Sequence, residues 1–166
     1  MASLKPRGTR SVEAAAHSWP WLVYIRDQDN PALDCTGTLL PICQGLDFTD
    51  IVITAATCLM HWNKGTKKME YDNWKEKLVE VGAHNILVEY EDSRQPKTGG
   101  AKISSIHPYG AALTNKATVI ANLAILRLEK PVFYSESVRP LCLPFIQESE
   151  KPDRKVCFVA GWSSSK

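Results

Sequence analysis

The chain lacks a strong charge of either sign: 20 lysines and arginines stand against 18 aspartates and glutamates, a net +2 over 166 residues. So small an excess gives no field to hold a polyanion, and neither nucleic acid nor a membrane surface is expected as a partner. The densest basic stretch, Lys64, Lys67, Lys68, Lys75 and Lys77, is interleaved with Glu70, Asp72 and Glu76 and reads as a solvated loop. No run of about 18 apolar residues occurs. The opening segment, Met1 to Arg10, holds no apolar core of the length a secretory signal needs. The five cysteines, Cys35, Cys43, Cys58, Cys142 and Cys157, lack the paired CxxC spacing of zinc sites, so disulfides are the better reading. Disulfides imply an oxidising, secreted or extracellular setting. With no signal segment, the precursor is then expected to start further upstream, or the sequence to be a processed piece. An odd count leaves at least one thiol over.

What is present fits one ordinary globular domain, 44% hydrophobic and 23% charged. Short runs rich in Val, Ile, Leu and aromatics read as strands: Trp21 to Arg26, Thr36 to Leu40, Ile51 to Ala55, Leu78 to Val81, Lys102 to His107 and Leu123 to Leu128. Helical spacing is weak everywhere and is expected only over Met69 to Lys77. Many short strands without helices between them predict an antiparallel β-barrel. Loops are expected at Pro41 to Asp50, Asn63 to Trp74 and Glu91 to Gly100. After Lys130, the prolines Pro131, Pro140 and Pro144 suit an extended connector. A last apolar run, Val156 to Trp162, reads as a strand with nothing to pair with it.

Six segments taken in order carry a resemblance: Ser18-Trp19-Pro20-Trp21, Cys35-Thr36-Gly37-Thr38-Leu39-Leu40, Ile53-Thr54-Ala55-Ala56-Thr57-Cys58, Asn122-Leu123-Ala124-Ile125-Leu126, Arg139-Pro140-Leu141-Cys142-Leu143-Pro144 and Cys157-Phe158-Val159-Ala160-Gly161-Trp162. They resemble the SWPW, CGGSLI, TAAHC, DIALL, RPxCLP and CxxAGWG motifs of the trypsin/chymotrypsin family of serine proteases. The resemblance implies an all-β, six-stranded antiparallel barrel over 18–130. Before it stands an N-terminal extension, 1–17. After it come a connector, 131–154, and the first strand of an incomplete second barrel, 155–166. The GDSGGP segment that carries the family's nucleophilic serine has no counterpart in these residues.

In this family an imidazole takes the serine proton and a buried carboxylate holds that imidazole in the working tautomer. Thr57 stands at the histidine position and Asn122 at the aspartate position. A threonine hydroxyl has no accessible titration near neutral pH, and a neutral amide can donate as well as accept. Aspartate to asparagine alone lowers turnover about 10,000-fold in such a triad. The expectation is a non-enzymatic homologue with no catalytic residues, no metal and no cofactor, which keeps the barrel for binding a protein. The alternative is the N-terminal part of a serine endopeptidase whose C-terminal half is another chain.

The four histidines, His17, His61, His84 and His107, read as surface or scaffold positions, and Ala83 replaces the glutamate that some relatives give to calcium. Arg10-Ser11-Val12-Glu13 departs from the family's activation sequence, and Ser163 replaces a glycine. The resemblance implies a Cys35 to Cys58 disulfide. It also implies an external partner, a C-terminal protease-like chain or an upstream regulatory chain, through Cys142 or Cys157. Cys43 has no counterpart in the family: it could pair with Cys142 or Cys157, stay free, or join another molecule.

Overall fold

A period of two governs the longest strand, Leu123–Phe133: Ala124, Leu126 and Leu128 are buried while Leu123, Ile125 and Arg127 face outward. That alternation makes a sheet with one dry face, and such a face is covered most economically by curling the sheet on itself. The computed structural model describes residues 2–4, 12–27, 34–43, 45–63, 65–66, 68–71, 73–86, 100–109, 112–113, 119–120, 122–143 and 158–162. Among these the strands in chain order are β1 (Ala2–Leu4), β2 (Val12–Glu13), β3 (Leu22–Asp27), β4 (Cys35–Leu40), β5 (Phe48–Thr54), β6 (Met60–Asn63), β7 (Lys68–Tyr71), β8 (Lys77–Val81), β9 (Ala101–Tyr109), β10 (Ala112–Leu113), β11 (Val119–Ile120), β12 (Leu123–Phe133) and β13 (Ala160–Trp162).

Six of them close an antiparallel barrel in the order β12-β5-β4-β3-β8-β9, with β9 returning to β12. The expected all-β, six-stranded barrel is what the chain forms, and each of the six runs read as strands falls on one of its staves. Val23, Ile25, Leu39, Val52, Val79, Ile103, Ala124 and Leu126 fill the interior. Gly37 is required inside it: a Cβ there would stand 2.8 Å from Val52 Cγ1 and 3.0 Å from Val23 Cγ2. The register of β12 against β5 shifts between Arg127 and Val132, so Pro131 sits at an irregularity, where a missing ladder donor is tolerated.

Three of these expectations are corrected. The segment Asn63 to Trp74 is not all loop, and Met69 to Lys77 is not helical: β6 and β7 pair as a hairpin, followed by a single 3₁₀ turn, Trp74–Glu76. Asn63 organises that hairpin. Its Oδ1 accepts from the backbone N–H of Gly65 at 2.8 Å and of Thr66 at 3.1 Å, and its Nδ2 donates to Glu70 Oε2 at 2.8 Å. The final run is not without a pairing partner either. β13 pairs with β1, Ser3 opposite Gly161, and β1 pairs in turn with β2, so the N-terminal segment satisfies one edge of the last strand. Val156 and Cys157 lie outside the described residues, as do 91–99 of the expected loop Glu91 to Gly100.

After β12 the chain runs back along the barrel. The backbone N–H groups of Tyr134, Arg139 and Leu141 donate to Asp47 O at 2.7 Å, Pro20 O at 2.9 Å and Leu39 O at 2.9 Å. Val138, buried, joins the core cluster and anchors this connector.

Candidate functional site

The Thr57 position is built by a 3₁₀ turn, Ala56–Leu59, that leaves the end of β5. Ala56 and Leu59 are fully buried and pin two corners of the turn into the core, which turns Thr57 toward the surface between them. Cys58 donates its backbone N–H to Ala55 O at 3.0 Å, closing the turn. Its sulfur is bonded to Cys35 at the start of β4, with the Cα atoms 5.9 Å apart, inside the range such a bond accepts. The disulfide implied by the resemblance is therefore formed, and it fastens the turn to a barrel strand.

Asn122 reaches the same place from the other side. Ala124 on β12 lies opposite Thr54 on β5, so the residue just before β12 arrives beside the residue just after β5. There the Asn122 Oδ1 accepts the Thr57 backbone N–H at 2.9 Å, and its Nδ2 donates to Thr57 Oγ1 at 3.0 Å. Two positions 65 residues apart are thus joined by a reciprocal pair of hydrogen bonds. Each partner is neutral and none of the four atoms titrates near pH 7, so the pair can hold a geometry but cannot accept a proton from a hydroxyl.

The histidines are dispersed. His61 lies on β6 opposite Glu70 on β7, and His107 lies on β9, its Nε2 3.1 Å from Ser105 Oγ. His84 follows β8, and its carbonyl accepts from Trp162 Nε1 at 3.1 Å. His17, whose φ of 56° is in the left-handed region, brings its ring centroid to 6.2 Å from that of His84, a proximity the sequence did not suggest. Among the described residues no group of three or more His, Cys, Asp or Glu side chains is placed to hold a metal ion. Cys43 and Cys142 are free and exposed, and Cys157 lies outside the described residues.

A polar network on the flank of the barrel was also missed. Lys77 is fully buried on β8 and donates to Asp27 Oδ2 at 2.8 Å, and Arg26 pairs with Glu80 at 2.9 Å. Tyr24 donates to Asp34, whose other oxygen accepts the Asp27 backbone N–H at 2.9 Å. Burial, then the hydrogen bond and charge of Asp34, hold the Tyr24 phenol well above its usual range. The nearest sequence signal was the alternation of β8, Lys77-Leu78-Val79-Glu80-Val81, which puts Lys77 on the same face as the core residue Val79.

The order of motifs, the closed barrel, the disulfide and the meeting of positions 57 and 122 converge on one family, and comparison with known proteins agrees. The trypsin family profile matches residues 9–166. The proclotting enzyme of Tachypleus tridentatus is 30% identical over 157 residues, covering 92% of this chain and 37% of that protein. Chymotrypsin-C of Mus musculus is 28% identical over 163 residues, covering 96% of this chain and 51% of that protein. The inactive serine protease scarface of Drosophila melanogaster is 25% identical over 158 residues, covering 95% of this chain and 20% of that protein. The chain thus spans about half the length of these relatives or less. With its barrel, its motif order and this match over most of its length, the chain belongs to the trypsin family of serine proteases.

Proposed function

We propose that this chain is a non-enzymatic member of the family, a pseudoprotease that keeps the barrel and its loops as a surface for binding another protein in an extracellular setting. The observation that carries the reading is the Thr57 and Asn122 pair: where a catalytic member needs a base and a carboxylate, a hydroxyl and an amide are bonded to each other. Neither group can draw off the proton of an attacking hydroxyl, and in such sites the loss of one member already removes most of the rate. That one relative bears the name of an inactive serine protease supports the non-enzymatic part of this reading. The protein partner is met through the barrel surface, or covalently through Cys157, or through Cys142 if that sulfur is not used within the chain.

A second reading is favoured by the share of the relatives that the chain spans, at most 51% in the three compared. In it the chain supplies the N-terminal half of a serine endopeptidase and a separate C-terminal chain supplies the rest. The test sets hydrolysis of a peptide panel beside capture of extracellular proteins on the immobilised chain. Stoichiometric capture without hydrolysis supports the binding module. Hydrolysis that appears when a C-terminal protease chain is added supports the second reading and contradicts the first.

A further inference from the structure

The loop between β4 and β5, residues 41–47, is tied at both ends to the segment that follows β12. At one end the Leu141 N–H donates to Leu39 O at 2.9 Å; at the other the Tyr134 N–H donates to Asp47 O at 2.7 Å. Cys43 lies within this loop and Cys142 directly follows Leu141, and both thiols are free and exposed. Two residues beyond Cys43, Gly45 has a φ of 86°, in the left-handed region that favours glycine. Tyr134, at the second of these ties, has a hydroxyl that is buried without a hydrogen-bond partner among the described residues. Burial pushes its phenol up.

We propose that Cys43 and Cys142 form a second disulfide, a clasp that closes the connector onto the β4–β5 loop. Cys35, at the first residue of β4, is already bonded to the turn that carries Thr57, so the clasp would fasten the strand beyond its other end as well. The reaction is exchange with a low-molecular-weight disulfide such as oxidised glutathione. The thiolate of Cys142 attacks one sulfur of that disulfide and expels one glutathione thiolate. The thiolate of Cys43 then attacks the mixed disulfide at the Cys142 sulfur and expels the second. The two cysteines lose two electrons and two protons, and the two departing thiols gain them. The bond requires Cα atoms about 4.4–6.8 Å apart. The hydrogen bonds of Leu141 to Leu39 and of Tyr134 to Asp47 hold the two segments that carry these cysteines side by side. An external tether through Cys142 competes for the same sulfur. The clasp does not depend on whether the chain hydrolyses peptides.

The test equilibrates the full chain in a mixture of reduced and oxidised glutathione, blocks free thiols by alkylation, digests without reduction and maps cross-links by mass spectrometry. The expected product is a peptide pair joining Cys43 to Cys142 beside the pair joining Cys35 to Cys58. Alkylated Cys43 and Cys142, persistent glutathione adducts on them, or a Cys142 to Cys157 link with Cys35 to Cys58 intact would overturn the proposal. A second measurement compares melting of the unaltered chain with Cys43→Ser at an exposed site. In the oxidised state the variant should melt roughly 5–15 °C lower, with Cys142 now open to alkylation. Equal melting temperatures in the oxidised state would contradict the clasp.

Discussion

Asn122 meets Thr57 with both ends of its amide: Oδ1 accepts the Thr57 backbone N–H at 2.9 Å, and Nδ2 donates to Thr57 Oγ1 at 3.0 Å. The donor end faces the side chain. An ionised aspartate only accepts, so it suits an imidazole N–H, whereas an amide with its donor turned toward position 57 suits a hydroxyl. The two positions therefore fit each other, and a change at one is read through the other.

Thr57→His alone should place a ring against the Asn122 donor, leaving the near ring nitrogen as acceptor and the proton on the far one. Adding Asn122→Asp should reverse that tautomer. Nitrogen NMR of the introduced imidazole distinguishes the two, and the same tautomer in both variants would contradict the account of this pair.

The Cys35 to Cys58 bond closes a loop with a sequence separation of 23 and holds the Thr57 turn on β4. Replacing both cysteines by alanine should lower stability by about 3 kcal/mol. Denaturant unfolding measures the loss, and amide exchange at Thr57 should quicken as its turn loosens.

Lys77 is fully buried against Asp27, whose side chain is only 11% accessible. Lys77→Met should cost about 3–5 kcal/mol because it takes the cation from beside a largely buried carboxylate. The double variant Lys77→Met with Asp27→Leu should recover most of that loss, since the pair as a whole is replaced by apolar packing. Urea midpoints of the two variants provide the comparison.

The raised Tyr24 phenol gives a stability term with a definite sign. The folded state favours the protonated ring more than the unfolded chain does, so the term is complete below the ordinary phenol value of about 10 and fades as pH rises beyond it. Melting temperature should therefore fall above about pH 10, and Tyr24→Phe should flatten that fall. An unchanged alkaline slope in the variant would show that Tyr24 does not contribute it.

The barrel was legible because its staves obey a period of two and its motifs keep their order. The site was legible because Thr57 sits in Ala55-Ala56-Thr57-Cys58 and Asn122 opens Asn122-Leu123-Ala124-Ile125-Leu126. What escaped depends on contacts distant in sequence. Lys77 carries a charge, which predicts a surface, and a partner that helps make its burial tolerable, Asp27, lies 50 residues away. The β6–β7 hairpin was concealed because its turn is set by one side chain, Asn63, amid a charged stretch that reads as loop. The pairing of β1 with β13 rests on three residues at each end of the chain, too few to show a period.

The most direct test of the central claim is labelling of the purified chain with a fluorophosphonate, read as intact mass, alongside hydrolysis of the peptide panel. An unchanged mass and hydrolysis no faster than the uncatalysed rate are expected, both for the unaltered chain and for Thr57→Ala. A phosphonylated serine, or turnover that disappears in Thr57→Ala, would contradict it.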